Sequence, residues 1–120
     1  MELRPDGFSN CNFGVGFSRK TPTGYELHFT IDGNLELSCP QKGCLWESGT
    51  GGGGGGILSM QKDGDLVIYD YARRRAIWSA GTKGNPGAYL AIQDDGNLVI
   101  YSEARKPLWS TGTSRTHKVV

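Results

Sequence analysis

The chain has 120 residues, a net charge of +1 at pH 7, 19 glycines and 37% hydrophobic residues. Balanced, scattered charge removes the electrostatic footprint of a binder of nucleic acid or anionic membranes, and no apolar run is long enough to span a bilayer. The length fits a single domain, 1–120, and the glycine content without helical periodicity points to an all-β chain of short strands joined by turns.

Residues 1–20, MELRPDGFSNCNFGVGFSRK, lack the basic-then-apolar pattern of a secretory leader, and no strand is assigned to them. The first organised stretch is TIDGNLELS at 30–38, where an Asp-Gly hairpin signal precedes the alternating Leu35 and Leu37. Cys39 and Cys44 then bracket PQKG, and across a hairpin they could close a disulfide. A two-Cys metal site would lack its other ligands, and Cys11 is left over, free or pairing between chains. If the bridge forms, it implies an oxidising compartment and a secreted, extracellular protein. Trp46 opens WESGT, and the glycine tract GTGGGGGGIL (49–58) follows. No Gly-Lys-Ser/Thr and no helix come after it, so it reads as a flexible connector and not as a phosphate loop.

The second stretch is QKDGDLVIY at 61–69, followed by the turn ARRRA (72–76) and by WSAGT from Trp78. Arg73, Arg74 and Arg75 read as a solvated loop tip, with contact to an acidic glycan or lipid headgroup as the sharper alternative. GTKGNPGAYL (81–90) aligns with the glycine tract without a gap. The third stretch is QDDGNLVIY at 93–101, then EARKP (103–107), WSTGT from Trp109 and the tail SRTHKVV (114–120).

Asp32, Asp63 and Asp95 are separated by 31 and 32 residues, and Trp46, Trp78 and Trp109 by 32 and 31. Such a period marks a repeated supersecondary unit, here about 24–50, 56–82 and 87–113, each with about three to four short strands sharing one core. Strand alternation places Leu66 and Ile68, and likewise Leu98 and Ile100, on one face. Val67 and Tyr69, like Val99 and Tyr101, face the other way, so the outward face is expected to show an exposed Val beside a Tyr, a small repeated binding surface. The first repeat keeps Leu35 and Leu37 inward and has Glu36 and Ser38 outward.

Gln93-x-Asp95-x-Asn97-x-Val99-x-Tyr101 resembles the QxDxNxVxY signature, three times repeated, of the monocot mannose-binding lectins, the snowdrop or bulb-type family. The period, the three Trp and the closing WxxGT segments extend the resemblance over nearly the whole chain. It implies a β-prism II fold, three four-stranded antiparallel sheets about a pseudo-threefold axis, with Trp46, Trp78 and Trp109 at the centre. It further implies that Asp95 and Asn97 hold the axial 2-hydroxyl of mannose, that Gln93 meets the 3-hydroxyl and Tyr101 the 4-hydroxyl, and that Val99 packs on the C3–C4 edge. Such chemistry is sound, because sugar hydroxyls both donate and accept and need mixed partners at fixed places. Gln61, Asp63, Val67 and Tyr69 match in the second repeat, but Asp65 stands in for Asn, which predicts weaker binding there. The first repeat matches only at Asp32 and Asn34, with Thr30, Glu36 and Ser38 elsewhere, and is expected to be inactive.

Relatives of this kind are commonly dimers or tetramers that exchange a C-terminal strand, so the resemblance implies a homodimer, with mannose-containing glycans and glycoproteins as partners. Glycoside hydrolysis would need two acids facing one bond, whereas these acids recur once per repeat. With His28 and His117 as the only histidines, no Ser-His-Asp or Cys-His set is evident, so the chain is read as no enzyme. Asp63 and Asp65 lack the EF-hand spacing, so the lectin is read as metal-independent and without a cofactor. The alternative reading is a prism that has lost its sugar and serves as a protein-interaction module.

Overall fold

The Asp-Gly turns set the strand geometry. Gly64 N–H donates to Gln61 O at 3.0 Å and Gln61 N–H to Asp65 O at 2.8 Å, a β-turn ending on a glycine at φ 94°. An L side chain is strained in that left-handed region, so glycine is the residue the turn requires. Gly33 and Gly96 repeat the turn at φ 90° and 91°.

The computed structural model describes residues 1–6, 9–52, 56–72 and 74–114, which hold twelve strands and no helix. In chain order these are β1 (Glu2–Leu3), β2 (Cys11–Gly14), β3 (Ser18–Lys20), β4 (Glu26–Phe29), β5 (Leu35–Cys39), β6 (Gly43–Glu47), β7 (Gly56–Met60), β8 (Leu66–Asp70), β9 (Arg75–Ser79), β10 (Tyr89–Ile92), β11 (Leu98–Tyr101) and β12 (Pro107–Ser110). They form three antiparallel sheets of four strands, in the orders β1-β10-β11-β12, β2-β7-β8-β9 and β3-β4-β5-β6. This is the three-sheet architecture that the resemblance implies. Each repeat supplies three strands, and the fourth strand of every sheet comes from residues 1–20. The segment with no assigned strand in the sequence thus closes an edge of each sheet. Covering an edge removes a row of unpaired N–H and C=O groups.

The inward rows meet in one core. Leu35, Leu37, Ile68, Leu98 and Ile100 are 0% exposed and Leu66 is 1%, as alternation predicts. Trp46, Trp78 and Trp109 pack against this core from its partly buried side, with ring centroids 5.6–5.8 Å apart and planes tilted by 66–78°. Edge-to-face packing sets the positive rim of each indole against the negative face of the next. Three similar chain segments thereby close around one point.

Some expectations change. Val67 and Val99 do face outward, but they are buried, at 5% and 3% exposure. Each lies on an inner strand, Val99 opposite Ala91 and Ser110 and Val67 opposite Ser59 and Ser79, so neighbouring strands cover it from both sides. The disulfide between Cys39 and Cys44 is absent, and both are free thiols, as is Cys11. Cys39 pairs with Gly43 and alternates with Leu37 onto the buried face, whereas Cys44 pairs with Ser38 on the opposite face. The two sulfurs leave the hairpin in different directions, and the argument for an oxidising compartment goes with the bridge. Of the arginine cluster, Arg74 (φ 53°) and Arg75 are exposed, while Arg73 lies outside the described residues. So do residues 53–55 of the glycine tract and 115–120 of the tail, His117 included. The tract ends inside β7, where a Cβ on Gly56 would stand 2.0 Å from Tyr69 O.

Two outcomes follow from this packing. Trp109→Ala should lower the unfolding free energy by about 3 kcal/mol, the low end for deleting a core aromatic because the ring is partly buried, and urea unfolding measures it; a change near zero would mean the indole trio carries no stability. With a thiol reagent under native conditions Cys44 should react first. Cys39 is buried and should label only on unfolding, while burial pushes the partly buried Cys11 thiol above its usual range and should make it slower than Cys44. Three equally fast thiols would contradict the packing of β2 and β5.

Candidate functional site

The side chain two residues after each motif Asp does the same structural work in all three repeats. Asn34 Oδ1 accepts from Ser48 Oγ (3.1 Å), Gly49 N–H (3.0 Å) and Thr50 N–H (3.2 Å). Asp65 Oδ1 accepts from the N–H groups of Gly81 and Thr82, both at 3.1 Å, and Asn97 Oδ1 from Thr111 Oγ1 (3.2 Å) and Thr113 N–H (3.3 Å). Thr50, Thr82 and Thr113 answer by donating their hydroxyls to Gly33, Gly64 and Gly96 O, each at 2.6 Å. The WxxGT tail is therefore clasped to the Asp-Gly turn of its own repeat. Only Oδ1 is needed for the clasp, which is why Asp serves at position 65 as well as Asn does at 34 and 97.

The second atom of that side chain is what distinguishes the repeats. In the first, Asn34 Nδ2 donates to Glu36 (3.1 Å) and Glu47 (2.7 Å). Asp32 is also engaged at both oxygens, by the Thr30 hydroxyl and by Gly52 N–H, and these bonds hold its carboxyl below the usual carboxylate range. This turn therefore keeps no free amide donor. In the third repeat Asn97 Nδ2 has no partner among the described residues, and in the second Asp65 Oδ2 has none.

Around these turns lie two grooves. The third-repeat groove, of about 540 Å³, is lined by Glu2, Tyr89, Gln93, Asp95, Tyr101 and Arg105 among others. Gln93 Nε2 donates to Tyr101 Oη, and Tyr101 stacks on Tyr89 with centroids 5.7 Å apart. The Arg4 guanidinium lies over the Tyr89 ring, 3.7 Å from its centroid, and is itself held by Glu2 at 2.7 Å. Asp95 Oδ1 accepts Asn97 N–H (2.9 Å) and Oδ2 accepts Ser114 Oγ (2.9 Å). Gln93, Asp95 and Tyr101 thus line one groove; Asn97, on the same turn as Asp95, and the buried Val99 are not among its lining residues.

The second-repeat groove, of about 710 Å³, is lined by Asn12, Ser59, Gln61, Tyr69, Tyr71 and Arg74 among others. Gln61 Nε2 donates to Tyr69 Oη at 2.6 Å, and Asp63 Oδ1 accepts Asp65 N–H at 3.0 Å. Arg74 and Arg105 hold matching places, both at left-handed turn positions (φ 53° and 68°). The lining residues that the sequence alone did not reveal, Glu2, Asn12, Ser59 and Tyr89, sit on the N-terminal strands and on β7 and β10, outside the nine-letter motif. Among the described residues no three His, Cys, Asp or Glu side chains converge to hold a metal ion, and no helix is long and apolar enough to cross a membrane.

No protein-family model and no curated protein sequence matches the chain. Solved structures do. A monomeric mannose-binding lectin from the monocot Gastrodia elata is 34% identical with a TM-score of 0.80, covering 94% of this chain and 97% of that one. A lectin from Marasmius oreades is 29% identical with a TM-score of 0.78, over 93% and 90% of the two chains. The mannose-specific agglutinin of snowdrop, Galanthus nivalis, in complex with methyl α-D-mannoside, is 33% identical with a TM-score of 0.68, over 85% and 90%. Identity, coverage and the shared three-sheet prism place the chain in the monocot mannose-binding lectin family, whose members bind carbohydrate and are not enzymes.

Proposed function

We propose that the chain binds α-D-mannose and high-mannose glycans through Gln93, Asp95, Asn97, Val99 and Tyr101, with a weaker mannose site at Gln61, Asp63, Asp65, Val67 and Tyr69. The observation that carries this reading is the contrast between repeats: Asn97 spends Oδ1 on its clasp and keeps Nδ2 free, whereas Asn34 spends both atoms internally. A free amide donor beside a carboxylate offers a hydroxyl one group to donate to and one to accept from. The Gln93–Tyr101 pair, oriented by Tyr89 and Arg4, stands ready for the neighbouring ring hydroxyls, and Val99 forms the apolar floor. The snowdrop relative with its bound mannoside supports the choice of sugar.

An equatorial 2-hydroxyl would leave Asn97 and Asp95 without their partner, and that loss is the source of selectivity. A single shallow groove binds a monosaccharide at about millimolar strength, roughly −4 kcal/mol, so useful avidity comes from several branches of one glycan. Secretion, and defence through recognition of foreign glycans, belong to this same reading.

The homodimer implied by the family belongs to this reading, while the Gastrodia relative is described as monomeric. Sedimentation velocity separates the two: a species of twice the 13.0 kDa chain mass supports the dimer, and a single chain rejects it.

Calorimetric titration with methyl α-mannoside, without and then with calcium, tests the site. Binding should be indifferent to calcium and weaken about 5- to 30-fold in Asn97→Asp and Tyr101→Phe, the loss of roughly 1–2 kcal/mol of hydrogen bonding. The melting temperature of Asn97→Asp should stay near that of the parent, because Asp65 shows that a carboxylate can make the clasp. Folded parent protein giving no heat with any mannoside would overturn the mannose reading.

A further inference from the structure

The Asp-Gly turn beside the second-repeat groove, which follows the lining residue Gln61, differs from its counterpart in the third repeat. Asp63 and Asp65 each give Oδ1 to backbone N–H groups, and neither Oδ2 accepts a hydrogen bond from the described residues. Asp65 is 8% exposed. Where the third repeat presents a donor, Asn97 Nδ2, this turn presents carboxylate oxygens alone. A neutral hydroxyl has one proton to give and leaves the second carboxylate partly dehydrated and unpaired, which is unfavourable.

A second observation is independent of the acids. Among the described residues Ser59 Oγ is the one buried side-chain polar atom without a hydrogen-bond partner, in a residue 1% exposed. Its register, opposite Asn12 on one side and Val67 on the other, puts its side chain on the groove face, alternate to the core residues Leu58 and Met60. Ala91 holds the matching place in the third repeat, opposite Glu2 and Val99. An orphan hydroxyl on the groove floor marks a place that something polar completes.

We propose that this groove takes an amino sugar, a hexose whose protonated 2-amino group lies between Asp63 and Asp65 while Ser59, Gln61 and Tyr69 meet ring hydroxyls. An ammonium has three donors and no acceptor, the complement of two free carboxylate oxygens, and hydrogen bonds between ions are the stronger kind. Of the remaining charged groups, Lys62 is exposed on the same turn, and Asp70 and Arg74 lie at the other end of β8. The exposed ring of Tyr71 flanks that far end and offers an apolar face to a following sugar ring. The proposal rests on the lectin reading only for the seat of the ring between Gln61 and Tyr69.

The experiment compares mannosamine, N-acetylmannosamine and methyl α-mannoside on the full chain, on Tyr101→Phe to weaken the third-repeat site, and on Tyr101→Phe combined with Asp65→Asn. In Tyr101→Phe mannosamine should bind about tenfold tighter than either neutral sugar, a charge-assisted bond's worth, and Asp65→Asn should erase or reverse that order. The substituted protein should fold, because Asn at this place keeps Oδ1, the atom that clasps the tail in the other repeats; its melting temperature checks this. Equal binding of the charged and N-acetylated sugars, or a preference that survives Asp65→Asn, overturns the proposal. Loss of mannoside binding in every form with mannosamine binding intact would overturn the mannose reading alone.

Discussion

The clasp between the motif Asn or Asp and the tail after each Trp is the interaction on which the rest depends. One carbonyl or carboxylate oxygen collects N–H and hydroxyl donors from the WxxGT segment, and the Thr hydroxyl returns a bond to the turn glycine. Without it the Asp-Gly turn and the Trp strand of a repeat would be tied only through the sheet. With it, the position of each indole at the centre is coupled to the Asp-Gly turn of its own repeat. The side chain that makes the clasp thus also carries the one atom whose surroundings differ from repeat to repeat.

That economy explains how three similar repeats diverge without unfolding. The clasp needs only an acceptor oxygen, so the other atom is free to change. In the first repeat it is absorbed by Glu36 and Glu47, in the third it remains an amide, and in the second it becomes a carboxylate oxygen. The N-terminal strands add a further source of difference, since Glu2 stands where Asn12 stands in the neighbouring sheet. Each groove therefore combines a repeated turn with a wall that is not repeated.

Much of this was legible in the letters. The Asp-Gly turns, the alternating Leu and Ile rows and the Trp spacing describe local rules that act within a few residues, and the structure obeys them. The destination of residues 1–20 was not legible, because short edge strands such as Glu2–Leu3 and Ser18–Lys20 carry too little alternation to declare a partner. The burial of Val67 and Val99 depends on neighbouring strands that alternation does not see. Spacing made a bridge between Cys39 and Cys44 look natural, yet register decides faces, and the two lie on opposite ones. The motif residues were legible as a pattern, while the contrast between a satisfied Asn34 and a free Asn97 needed the coordinates.

The central claim is that Asn97 has a spare donor aimed at ligand and Asn34 has none. Side-chain amide NMR signals, followed during titration with methyl α-mannoside, test it directly. The account predicts that the Asn97 and Gln93 amide protons shift with saturation while those of Asn34 stay still. Movement of Asn34, or stillness of Asn97 while the sugar binds elsewhere, would contradict it.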